Sequence, residues 1–148
     1  KLIQTTGDDR VYVVELPDGK TTTVIGQYDT AASKEVFTLL NKYRLENGCN
    51  PLNRTDTMLQ VAAETRGYEL AKSNNHTRPN GEAYTSIYTG VSGETIASAT
   101  GMTAEGAMAV WKASEPDKLC MLNNTATSVG IAAFKATNNV TYYVVLFV

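Results

Sequence analysis

The chain has 148 residues, 43% hydrophobic and 19% charged, a balance that excludes a disordered or collagen-like polymer. That length suits one compact core and no second. With 13 basic against 15 acidic residues, neither a sequence-independent nucleic-acid footprint nor a polybasic membrane patch is expected, and no apolar run approaches the roughly 20 residues of a membrane span.

Residues 10–28, RVYVVELPDGKTTTVIGQY, predict a β-hairpin, because β-rich runs flank Leu16-Pro17-Asp18-Gly19 and Pro and Gly suit turn positions. This hairpin reads as a leader, residues 1–30, appended to a main domain over 31–148. Asp29 or Thr30 can cap a first helix over 31–47, where Val36, Phe37, Leu40 and Tyr43 recur at helical spacing and Gly48 supplies the left-handed stop. Thr55 or Asp56 can cap a second helix that places Leu59, Ala62, Ala63, Arg66 and Leu70 on one stripe. Its alanines imply a close neighbour.

Residues 74–101, rich in Asn, Thr, Ser and Gly, show no sustained period and predict a long irregular segment of the kind that carries function. A third helix runs from the Thr103 cap to about Ser114, with Ala107, Met108 and Trp111 on its inner face, and Glu115-Pro116 closes it. SVGIAAFKA and TYYVVLFV, around a turn at Thr137-Asn138-Asn139, predict a second hairpin. The last run is apolar at nearly every position, as a central strand covered on both faces must be. The expected class is therefore α+β: a three-layer α-β-α sandwich with a mainly antiparallel sheet.

Few residues here can carry chemistry. The one histidine, His76, lies in the polar loop SNNHTRPNGEAY; Glu94 lies in SGETIA and Asp117 in SEPDKLC. Taken singly, these are most simply a solvated ring, a capping or surface acid, and a turn-forming Asx. Glu105 falls in a first helical turn, where its charge suits the macrodipole. Cys49 and Cys120 are too distant for a CxxC motif and form a candidate disulfide, with buried free thiols as the alternative. The sequons at Asn53, Asn75, Asn123 and Asn139 reflect composition.

The order of the pieces is more specific than the pieces. NKYRLENGCNPL, an alanine-rich helix, HTRPNG, GETIA, a helix with WKAS, then MLNNTATSVGIAAF and YYVVLF follow one another over roughly residues 32–148. That succession resembles the bacterial branch of the CAP superfamily, the SCP-like relatives of cysteine-rich secretory proteins, venom antigens and plant pathogenesis-related proteins. HTRPNG is similar to the family's HTSPDG or HTRPDG signature, and GETIA to GENIA. The resemblance implies that His76 and Glu94 share a cleft, in which a second histidine of some members completes a polar cluster that binds a divalent metal.

This chain departs from that pattern. WKASEPDKLCML stands where bacterial members read WMNSPGHRANIL, so Asp117 takes the second histidine's position. Ser114 stands where animal and plant members place a second cleft glutamate, and Val145 where the family often has Gln. Tyr84 and Tyr88 are further candidates to line the cleft.

One imidazole with two carboxylates makes a poor zinc site and suits oxygen-preferring cations better. No cofactor is expected, and any divalent metal would have to use His76, Glu94 and Asp117. Negative neighbours hold His76 protonated, which suits holding a polar ligand better than general-base chemistry. The resemblance thus implies an exported, extracellular or cell-surface binding domain with no catalytic residue assigned, its partner an extracellular ligand or protein. The alternative is a metal-assisted, peptidase-like hydrolase using the same three residues, and a third reading is a surface spacer with a vestigial cleft.

Overall fold

The computed structural model describes residues 8–148; the part of the leader at 1–7 lies outside the described residues. Strands β1 (Arg10–Glu15) and β2 (Thr21–Tyr28) form the expected hairpin, with Gly19 at φ 79° in its turn. Helix α1 (Thr30–Glu46) starts at Asp29, whose carboxylate accepts from the Ala32 amide, and Gly48 follows it at φ 75°. Helix α2 (Thr57–Lys72) starts at Asp56, which accepts from the Met58 and Leu59 amides. Strand β3 (Gly93–Thr100), helices α3 (Ala104–Lys112) and α4 (Glu115–Met121), and strands β4 (Val129–Ala136) and β5 (Val140–Phe147) complete the chain.

The five strands make one sheet in the order β1-β2-β4-β5-β3, every pairing antiparallel. The α+β sandwich expected from the sequence is the fold. β5 lies between β3 and β4, and its side chains alternate between two cores. Tyr143, Val145 and Phe147 join Val36, Leu40, Met108 and Trp111 beneath α1 and α3, whereas Tyr142, Val144 and Leu146 join Leu59, Ala63 and Leu70 beneath α2. A strand buried on both faces can alternate only between apolar and apolar. Val145 is fully buried in the first core, away from any polar cleft, and Trp111 is likewise core, its Nε1 donating to the Ile96 carbonyl at 3.1 Å.

The hairpin joins the main sheet, β2 pairing with β4 from Gly26↔Ala136 to Tyr28↔Phe134, and Val14 is buried. Two expectations need correction. The segment 74–101 is not irregular throughout: Tyr84–Ile87 form a 3-10 turn and 93–100 are strand β3. Its Gly, Ser and Thr content hid a strand whose stability comes from its neighbour β5 rather than from propensity. Finally, Pro116 does not merely follow α3; it opens α4, since a proline in the first helical turn forfeits no hydrogen bond.

Candidate functional site

Helix α2 meets the sheet closely. Gly130 of β4 lies under Leu59, and Gly67 of α2 faces Ala132, Phe134 and Tyr28. This approach carries Arg66 into the interior, one turn along the same stripe as Ala62, Ala63 and Leu70, and beside β3. A guanidinium there requires a partner. Glu94, the second residue of β3, supplies it: Arg66 Nε donates to Glu94 Oε2 at 2.7 Å and Nη2 to Oε1 at 3.1 Å, with both side chains fully shielded from solvent.

The pair is one link of a longer chain. Arg66 also donates to the Asn75 carbonyl at 2.8 Å and to Glu69 Oε1 at 3.2 Å, and Arg78 clasps Glu69 through Nε and Nη2 at 3.1 and 2.9 Å. At the other end His76 Nδ1 lies 2.8 Å from Glu94 Oε1. Charge therefore alternates Arg78, Glu69, Arg66, Glu94, His76 from one side of the loop to the other. The imidazole is the outlet: its side chain is 54% exposed while that of Glu94 is 0% exposed. With Nδ1 on Glu94, Nε2 is the nitrogen free to face outward.

Two backbone and ring contacts fix the loop. The Tyr84 amide donates to the His76 carbonyl at 3.1 Å, and the Tyr84 ring tilts against the imidazole with centroids 5.7 Å apart. Tyr88 serves elsewhere: its hydroxyl donates to Asp56, the cap of α2. Ser114 occupies the N-cap position of α4, and Asp117 sits half-buried in that helix's first turn. Asp117 makes no ion pair with His76 but is near enough for its charge to act on the ring.

The electrostatics follow from these contacts. The bond to Glu94 raises the His76 pKa above its ordinary 6.5; burial opposes the rise, the Glu94 charge adds to it, the Arg66 charge opposes it and Asp117 adds a last increment. Burial pushes the Asp117 carboxyl up, against the Ser114 hydroxyl and the His76 charge. Burial likewise pushes the Cys120 thiol up, which disfavours a thiolate nucleophile beside Glu94. Because His76 is the only histidine, its ring resonances can be followed in the intact protein. A midpoint above 6.5 is expected, falling in Glu94→Gln; a parent midpoint at or below 6.5 would contradict this geometry. The folded value is the raised one, so the contribution of this pair to stability is complete below about pH 6.5. It fades as pH climbs through the raised value, and solvent around the half-exposed ring keeps it small.

The structure sets His76 against both Glu94 and Tyr84, with the Asp117 charge acting on the ring and Ser114 bonded to Asp117. As a metal site the donors do not fit. Among the described residues no three His, Cys, Asp or Glu side chains converge to hold a cation. Both Glu94 oxygens already accept from Arg66 or His76, and the neighbouring guanidinium repels a second cation. The Cys49–Cys120 bridge is not formed; both thiols are free. Cys49 turns toward the Leu122 carbonyl at 3.5 Å, whereas Cys120 packs on Gly93 of β3.

Reasoning from sequence missed Arg66, Glu69 and Arg78 as site residues. A signal existed: an arginine on an otherwise apolar helical stripe must be buried against an acid.

An antiparallel sheet clad by helices on both faces, with an acid at the start of β3 meeting a histidine from the loop after α2, is the class of domain that the sequence resemblance implies. The chain belongs to the CAP family, the cysteine-rich secretory protein family, whose model matches residues 37–147. That match begins after the β1–β2 hairpin. Among solved structures, the fold is similar to an outer surface protein of Borrelia burgdorferi, with TM-score 0.68 and 20% identity over 82% of this chain and 96% of that one. It is also similar to an extracellular SCP-domain protein of Bacillus anthracis, with TM-score 0.60 and 17% identity, covering 86% of this chain and 46% of that one. A third is a cysteine-rich secretory protein of Staphylococcus aureus, with TM-score 0.56 and 12% identity, covering 96% of this chain and 56% of that one. A search of curated proteins finds no significant match.

Proposed function

We propose that this CAP domain is a non-enzymatic binding or interaction module that works outside the cytoplasm and presents His76 at the mouth of a polar site. One observation carries the reading: both Glu94 oxygens are engaged, Oε2 by Arg66 and Oε1 by Arg66 and His76, so using this carboxylate as a general base or a metal ligand would weaken a buried ion pair. What remains for a ligand is the imidazole Nε2 that faces away from Glu94, the tilted Tyr84 ring beside it, and the flanking Asp117 carboxyl. A ring nitrogen, an aromatic face and a carboxyl set around a buried ion pair suit recognition of a polar group. The surface or extracellular setting named for the Borrelia and Bacillus proteins supports an exported location.

Calorimetric titration with zinc or calcium is expected to show no micromolar binding that depends on His76. Tight binding that vanishes in His76→Ala, or peptide hydrolysis that chelators abolish, would overturn the reading in favour of a metallohydrolase. A positive test is binding to immobilised extracellular glycans or peptides that His76→Ala abolishes while the variant keeps its thermal midpoint.

A further inference from the structure

A second cavity lies where β2 leaves the sheet. β2 pairs with β4 only from Gly26 to Tyr28; beyond it the Asp29 N–H donates to the Ala133 carbonyl and the Val129 N–H to the Asn53 carbonyl, which leaves Ile131 between them as the part of this β4 edge without a backbone partner. A cavity of about 470 Å³ opens there, between α1 and α2. Its volume falls in the range of small-molecule sites. Neither His76 nor Glu94 lines it.

Side chains take the place of the missing strand. The Gln60 amide accepts from the Ile131 N–H at 3.0 Å and donates to the Ile131 carbonyl at 2.7 Å. The same amide accepts from Arg54 Nε at 3.1 Å and donates to Glu64 Oε2 at 3.2 Å. Gln60 therefore stands as a fixed spacer between a cation and an anion. Arg54 Nη2 is held by Ser33 Oγ at 3.1 Å and by the Ile131 carbonyl at 2.9 Å. Three bonds orient the guanidinium, and its Nη1 hydrogens have no partner among the described residues. Among those residues Arg54, Lys34 and Glu64, all lining the cavity, form no ion pair.

We propose that this cavity binds a small zwitterion of the amino-acid type, its carboxylate taken by Arg54 and Lys34 and its ammonium by Glu64. A simple anion would meet the Glu64 charge, and a simple cation would meet Arg54 and Lys34. Only a ligand carrying both signs satisfies the two sides that Gln60 holds apart. Phe37 and Ala132 give an aliphatic side chain an apolar surface on which to rest. Burial disfavours the Arg54 charge, so a carboxylate arriving there is more strongly held than at an exposed arginine.

The test is a nuclear magnetic resonance titration of the whole chain with the common free amino acids to about 10 mM, beyond the millimolar affinity expected of so small a ligand. Saturable shifts are expected at the Ser33, Ile131 and Ala133 amides for at least one amino acid. For that compound the N-acetyl and the carboxamide derivatives, which lose one charge each, are expected to bind at least tenfold more weakly. The surface variants Lys34→Gln and Glu64→Gln, which spare the Arg54 and Gln60 bonds to Ile131, should each weaken binding several-fold. No saturable shift with any amino acid, or an N-acetyl derivative that binds as well as its parent, overturns the proposal. His76→Ala should leave these shifts unchanged, and their loss in that variant would also overturn it.

Discussion

Glu94→Ala is expected to lower the stability of this protein by about 3–5 kcal/mol, the usual cost of stranding one partner of a buried ion pair. Arg66 would keep Glu69 at 3.2 Å and the Asn75 carbonyl, but Glu69 is already held by Nε and Nη2 of Arg78, so two guanidiniums would compete for one carboxylate. At this chain length the loss corresponds to a drop in melting temperature on the order of 10 °C. The double replacement Arg66→Met with Glu94→Leu should recover much of it, because two apolar side chains of similar volume need no desolvation. Thermal and urea melts of the single and double variants decide the matter. A single variant within about 1 kcal/mol of the parent, the scale of an ordinary surface change, would mean that the pair is not buried as described.

Gly130→Ala is the second large effect. An ideal Cβ on Gly130 would stand 2.4 Å from the Leu59 carbonyl oxygen and 2.9 Å from its carbon, both backbone atoms of α2 that no rotamer change can move. Glycine to alanine in a strand ordinarily gains about 0.5–1 kcal/mol from backbone entropy. Here the clash reverses the sign, and a cost of about 3 kcal/mol is expected, at the upper end for overpacking. Because α2 also carries Arg66 and Glu69, lifting it off β4 should loosen the hold on Glu94. The His76 midpoint should therefore move toward 6.5 in the variant, and an unchanged or raised stability would refute the close approach.

What the sequence disclosed about the fold was whatever rests on local pattern. The caps at Asp29 and Asp56, the glycine stops, and the β5 run, apolar at nearly every position, all read directly from residue order. β3 was not visible in that way, since GETIASAT alternates weakly and owes its extension to pairing with a segment about 50 residues later. α4 was hidden by a proline whose meaning depends on where the preceding helix ends. At the site, His76 and Glu94 were recognisable through motif order. Their link was not, because no periodicity reveals that an arginine on an apolar stripe reaches an acid 28 positions on.

The sheet order has a kinetic consequence. β3 precedes β4 and β5 in the chain yet finds its place only outside β5, the fifth of the described strands in chain order. Until Val140–Phe147 has docked, Glu94 has no fixed position, and Arg66 on the already formed α2 is an unmatched charge at a hydrophobic surface. Contacts of such long sequence separation form slowly, so assembly of the ionic core should coincide with the final, rate-limiting closure rather than precede it. A nascent chain that has not yet released Val140–Phe147 would hold two cores half open at once, with apolar surface exposed on both faces of the sheet.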